Sequence, residues 1–165
     1  MVEEQDFRHV DPDAHHDKAL TLHDCVANKI LFERNTLRFY LPDGLWVTPH
    51  HKENTYGKTL RTDAAAVSFS VEEPDDITVR VFTRNAWCWS RKTCVENWHM
   101  EQLMEAVNSG KCTLEFLTQY RSHYEQLWHC VIHSEKRPYY RECQLYLPAA
   151  EATFFWNDLR PDREW

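Results

Sequence analysis

The run Thr93-Cys94-Val95-Glu96-Asn97-Trp98-His99-Met100-Glu101-Gln102-Leu103-Met104-Glu105-Ala106-Val107-Asn108-Ser109-Gly110 holds the one strong helical signal in this chain. Met100, Leu103, Met104 and Val107 recur at i, i+3, i+4 and i+7, which places them on one face of a helix. Thr93 followed three residues later by Glu96 fits a capping box, in which each side chain satisfies a backbone N–H of the first turn. Asn108-Ser109-Gly110 supplies a stop, because Gly enters the left-handed conformation after a last turn without steric cost. The pattern predicts one main helix at about 94–109.

On both sides of this run the hydrophobic period shortens to two, the period of a half-buried strand. Val26, Ile30 and Phe32 lie on one side of a strand over 24–33, Arg34-Asn35 reads as a tight turn, and Leu37, Phe39 and Leu41 face inward on the strand that follows. Pro42-Asp43-Gly44 is a further turn, Leu45-Trp46-Val47 a short strand, and residues 48–63 a polar loop. Val67, Phe69 and Val71, then Ile77, Val79 and Val81, alternate with polar residues across a turn at 73–76 and read as a second hairpin. Beyond the helix, alternation recurs at Cys112, Leu114 and Phe116, at Trp128, Cys130 and Ile132, at Cys143, Leu145 and Leu147, and at 153–156. Residues 113–131 also suit a helix in part; the β-favouring types over 126–133 tip that stretch to strand. The fold class expected is α+β, mainly antiparallel hairpins in two layers or one strongly curved sheet, with the helix covering a face or edge. The core should include Val26, Ile30, Leu37, Phe39, Val67, Phe69, Val79, Val81, Leu103, Val107, Trp128, Ile132 and Leu145.

The chain has 165 residues, enough for one sizeable core, and its 8 Phe, 7 Tyr and 7 Trp against 3 Gly mark a folded sequence. Residues 1–18 hold Glu3, Glu4, Asp6, Asp11, Asp13 and Asp17 against Arg8 and Lys18, with few apolar anchors. They read as an acidic, loosely ordered arm before a single globular domain over 19–165. No apolar run is long enough to span a bilayer, and residues 1–6 lack a signal-peptide core. Six Cys without a CxxC pair then point to reduced thiols in the cytoplasm. A net charge of −7 argues against nucleic acid and anionic membranes and leaves a protein partner, a basic one by charge.

Three groups of residues carry chemistry worth testing. His23-Asp24-Cys25 pairs a base with a thiol two residues on, which one strand would put on the same side. No nucleophile motif surrounds it, so the favoured reading is a small packed thiol at Cys25, with His23-Asp24 making structural hydrogen bonds near a strand start. Trp87 and Trp89 with Arg84 and Arg91 form an aromatic and basic segment, the residue types that dominate interface hot spots. Against this stands a strand that simply buries one Trp. Ten His and six Cys are plentiful ligands, yet no HExxH or paired CxxC spacing occurs. His129 and His133 would sit about 13 Å apart along a strand, and His50-His51 would give one ligand, so neither metal nor cofactor is expected. No spacing singles out a pair of catalytic carboxylates, and no Gly-rich phosphate loop is present.

The runs Leu-Glu-Phe-Leu-Thr-Gln-Tyr (114–120), Pro-Tyr-Tyr-Arg-Glu-Cys-Gln-Leu (138–145) and Phe-Phe-Trp-Asn (154–157), with Leu-His-Asp-Cys-Val (22–26) and Asp43-Gly44, resemble a group of uncharacterised small bacterial proteins. The His-Asp opening is also similar to that of small immunity proteins of bacterial toxin systems. The resemblance implies a stand-alone, cytoplasmic, β-rich protein that binds another protein, and carries over no catalytic residue. The function expected is therefore a non-enzymatic cytoplasmic protein-binding module, immunity-like. The alternatives are a small-molecule binder or enzyme with an aromatic-lined pocket using His23, Asp24 and Cys25, and a homo-oligomer that joins through a sheet edge or Trp patch.

Overall fold

A computed structural model describes residues 6–13, 18–84 and 93–165. In chain order the strands are β1 (His9–Pro12), β2 (Leu20–Thr21), β3 (Cys25–Ala27), β4 (Lys29–Glu33), β5 (Thr36–Leu41), β6 (Trp46–Val47), β7 (Leu60–Thr62), β8 (Ala65–Ser70), β9 (Thr78–Arg84) and β10 (Thr93–Trp98). Helix α1 (Met100–Asn108) follows, then β11 (Cys112–Arg121), β12 (Gln126–Ser134), β13 (Tyr140–Leu147), β14 (Ala152–Trp156) and β15 (Leu159–Glu164). All pairings are antiparallel. They build a five-stranded sheet in the order β1-β14-β8-β5-β4, a six-stranded sheet β10-β9-β13-β12-β11-β3, and a small sheet β15-β7-β6-β2. The chain is thus α+β and mainly β, as its alternation requires. Among the described residues no helix is long and apolar enough to cross a membrane.

The two large sheets share one core. Phe39 of β5 meets Phe116 of β11 edge-to-face at 5.2 Å, and Phe116 meets Trp128 of β12 at the same distance. Every expected core residue is buried except Val26. The strand expected over 24–33 is two strands: β3 belongs to the six-stranded sheet and β4 to the five-stranded one, with Asn28 between them. The side chains facing in from β3 are therefore Cys25 and Ala27, and Val26 faces out. The hairpin read across 73–76 is corrected in the same way. β8 pairs with β5 and β14, and β9 with β10 and β13; a single 3₁₀ turn at Pro74–Asp76 carries the chain between sheets. Alternation fixes which residues are buried but not which strand is the neighbour.

Two turns formed as their residues demand. Arg34 and Asn35 take φ of 50° and 62°, the left-handed pair that a two-residue hairpin between β4 and β5 needs. Gly44 has φ +81°, and a Cβ there would lie 2.2 Å from the carbonyl oxygen of Asp63.

The helix starts later than 94. Met100, Leu103 and Val107 face the core as predicted, and Gly110 (φ +73°) closes the last turn. Thr93–Trp98, however, is strand β10, and the first turn is capped at His99, whose backbone N–H donates to Gln102 Oε1 at 2.8 Å. Threonine and valine at 93 and 95 are stiff at χ1 and favour strand, and the apolar helical face begins only at Met100. α1 covers the edge of β4. The Ile30 N–H donates to Asn108 Oδ1 at 2.8 Å, and Asn108 Nδ2 donates to the Ile30 carbonyl at 2.7 Å. One side-chain amide thus replaces the missing neighbouring strand.

The acidic arm over 1–18 contributes β1, which pairs with β14. Asp11 Oδ2 accepts from Trp156 Nε1 at 2.8 Å and faces His51 Nε2 at 3.3 Å, and Asp13 pairs with Arg121 at 2.7 Å. The small sheet carries the charged residues after 157: β15 pairs with β7, and Trp165 is 63% exposed.

Candidate binding surface

At one end of the six-stranded sheet, β9 buries Val79 and Val81 and sends Arg80, Phe82 and Arg84 to the opposite, outward side. The register sets Thr93 beside Arg84, Val95 beside Phe82 and Asn97 beside Arg80 on β10, with Glu142 and Gln144 beside Phe82 and Arg80 on β13. Phe82, Arg84, Pro138, Tyr139, Tyr140 and Arg141 line a cleft of about 490 Å³ here. Tyr139 and Tyr140 are both exposed. The Arg137 guanidinium lies 5.8 Å from the Tyr139 ring and that of Arg141 4.8 Å from Trp98, distances at which cations are held over aromatic faces. Arg80 and Arg84 are exposed and form no ion pair among the described residues. The one carboxylate at the cleft, Glu142, stands 3.7 Å from His129 Nε2. Chemically this is an apolar floor edged with cations.

Of the seven residues picked from the sequence for binding, Arg84 is in this cleft. Trp87, Trp89 and Arg91 lie outside the described residues; in sequence they join Arg84 to Thr93.

His23, Asp24 and Cys25 sit elsewhere, beside the small sheet. They do not share one strand. Asp24 is in the left-handed region (φ 56°) and the Cys25 N–H donates back to the Leu22 carbonyl at 2.9 Å, so the chain turns before β3 begins. The turn separates the two groups that simple alternation would have put together. The His23 ring stacks on Trp165 at 5.3 Å and its Nδ1 donates to the Leu117 carbonyl at 2.6 Å. That leaves Nε2 toward Asp24, 3.4 Å away. The Cys25 thiol is fully buried and points to backbone carbonyls, those of His23 at 3.6 Å and Thr21 at 3.9 Å. Burial pushes its pKa up to about 12, against a smaller opposing pull from Arg61. At neutral pH it is a protonated, packed thiol without the ionisation a nucleophile needs. Cys130 and Cys143 face each other across β12 and β13, fully buried, and burial holds the Cys130 thiol well above its ordinary range.

Of the histidines weighed as ligands, His51, His129 and His133 have side-chain partners. Both nitrogens of buried His51 are used, Nδ1 accepting the Glu53 N–H at 3.2 Å and Nε2 facing Asp11. His133 bonds Glu115 at 2.6 Å. Ligand-type atoms of exposed Asp75, His99 and Glu101 come within 4.8 Å of one another. They cluster at the start of α1, where carboxylates complement the positive end of the helix.

Sequence reading missed the role of β10 as a strand. The signal was present in Thr93 and Val95, masked by the Thr93–Glu96 capping pattern. Comparison with protein-family models, with curated proteins and with solved structures finds no match to this chain.

Proposed function

We propose that this chain is a non-enzymatic, cytoplasmic protein-binding module, immunity-like in acting by occupying a partner, and that it meets the partner through the β9–β10–β13 end. The observation that carries this reading is the set of unpaired Arg80 and Arg84 beside exposed Tyr139 and Tyr140. Tyr and Arg supply large contact area with a polar tip, the chemistry of binding hot spots. The overall acidity of the chain would favour a basic partner in long-range encounter. At contact the local charge governs, and this end is cationic, so the partner surface that seats here is acidic. An enzyme built on His23, Asp24 and Cys25 is disfavoured by the burial of the thiol.

The test is site-specific photo-crosslinking in native lysate, with benzoylphenylalanine placed at Tyr140 in one variant and at Tyr56, also exposed, in another. The reading expects one discrete crosslinked protein from position 140, absent from position 56 and lost on adding Arg84→Glu. Equal yields from both positions, or none from 140, would overturn it.

A further inference from the structure

We infer that the β14 edge is a peptide-binding site that β1 fills as a self-ligand, and that an extended partner segment with carboxylates at alternate positions takes the same place. It is a second surface, apart from the β9–β10–β13 end. The two sides of the β1–β14 pairing are unequal. β1 has four residues at the rim of the five-stranded sheet, and none of them is buried; Val10 is 55% exposed. The groups that receive it belong to the body of the fold. Trp156 is buried in the core and His51 is nearly as enclosed. The loop at His51 is closed by its own bonds: the His51 N–H donates to the Thr48 carbonyl at 3.1 Å, and the Asn54 N–H to the His51 carbonyl at 2.9 Å. Nδ1 accepts the Glu53 N–H, so Nε2 is the nitrogen that carries a proton toward the arm. A short rim strand with no buried side chain opens locally while the core stays shut.

The receiving groups specify the occupant. Trp156 Nε1 donates to Asp11 Oδ2 at 2.8 Å, His51 Nε2 stands 3.3 Å from the same oxygen, and Arg121 pairs with Asp13 at 2.7 Å. Alternate residues of a strand point one way, about 7 Å apart, so carboxylates at i and i+2 reach these groups together. Two residues before Asp11, the His9 ring stacks on Trp156 at 4.0 Å. The pattern that fits is ring–x–acid–x–acid. A segment without the acids would leave the buried Trp156 and His51 donors unmet, and the edge rejects it. Pairing to the β14 backbone is the same for any sequence; the alternate side chains select. The arm of a second copy brings the same groups without the tether, which keeps the chain's own arm at an effective concentration on the order of millimolar. It gains nothing over the arm in place. A partner segment succeeds by binding more tightly than the tethered arm, which makes β1 an autoinhibitory contact.

The probe is the peptide Phe-Arg-His-Val-Asp-Pro-Asp, the sequence of residues 7–13. It is titrated into the full ¹⁵N-labelled chain and into its Asp11→Ala variant, with the Trp156 indole N–H as reporter. The control peptide carries Asn for both Asp. We expect shifts at the Trp156 indole and along β14, with an apparent Kd on the order of millimolar in the parent, set by its own arm. Asp11→Ala should bind the peptide about tenfold tighter, and the Asn peptide about tenfold weaker than the Asp peptide. His9→Ala loosens the arm without touching its carboxylates and replaces Asp11→Ala if that variant loses the fold. Val10 and Phe155 face each other in the register, so a Val10→Cys, Phe155→Cys chain oxidised with glutathione disulfide locks the arm. The locked chain should refuse the peptide and accept it again on reduction. No shift at Trp156 in parent and loosened chain, equal binding of the Asp and Asn peptides, or binding to the locked chain would each overturn the inference. A parent chain that sediments as an arm-exchanged dimer would give the site to a second copy and overturn the partner assignment. Crosslinking from Tyr140 tests the other surface, so each reading can fail without the other.

Discussion

The two sides of the β-sandwich are finished differently. On the β3–β4 side the chain crosses from one sheet to the other at Asn28, Cys25 and Ala27 are sealed in, and Asn108 of α1 satisfies both free groups of Ile30. On the β9–β10 side the six-stranded sheet runs on into a strand that is exposed along most of its length. The contrast separates residues that hold the fold from residues free to bind. Burial and hydrogen-bond closure concentrate on the first side; exposed tyrosines and cations without an ion pair among the described residues concentrate on the second.

The largest test of that division is Phe116→Ala. Phe116 is fully buried between Phe39 and Trp128, beside Cys25 in the register. Truncation there should cost about 3–5 kcal/mol in urea unfolding. Phe82→Ala, on the open side, should cost under about 1 kcal/mol; similar losses at the two sites would erase the contrast. Next is Asn108→Ala, which strands the Ile30 N–H and C=O. It should cost about 1–3 kcal/mol, with faster amide exchange at Ile30; unchanged exchange there would show that the cap is dispensable.

The third prediction uses pH. Because the Cys25 pKa is about 12 in the fold against an ordinary 9.0, the folded state keeps a proton that the unfolded state gives up. The stability this represents is fully present below about pH 9 and is lost as pH rises toward 12. Between pH 8 and pH 10.5 the parent should lose about 1–2 kcal/mol more than Cys25→Ala; parallel losses would mean the thiol is not held as described. The smallest effect is expected at Val95→Lys, on exposed β10. Stability in urea unfolding should move by under about 0.5 kcal/mol. A large destabilisation would place β10 among the structural strands.

Much of the core was legible in the sequence. Alternation identified the inward residues of β5, β9, β12 and β13, and Arg34-Asn35 marked its hairpin. Helix stops are written by Gly, so the end at Asn108 was readable, whereas the start was obscured by Thr93 and Glu96 standing at capping spacing inside a strand. Sheet membership was not legible. Strands β8 and β9 read as a hairpin because both alternate, and only the three-dimensional course of Pro74–Asp76 assigns them to different sheets. The same limit hid the candidate site. Arg84 was visible as a residue type, but its companions Tyr139, Tyr140 and Arg141 arrive from β13 and the turn before it, more than fifty residues away, and the His23–Cys25 pair was undone by one left-handed residue, Asp24.

Amide hydrogen exchange across β10 and β4 in the free, monomeric protein tests the central claim most directly. Ile30 should exchange only on the timescale of global unfolding, while the amides of β10, exposed over its first five residues, exchange by local opening well before it. If every amide of β10 is as protected as Ile30, the two sides are held alike and the contrast between them fails.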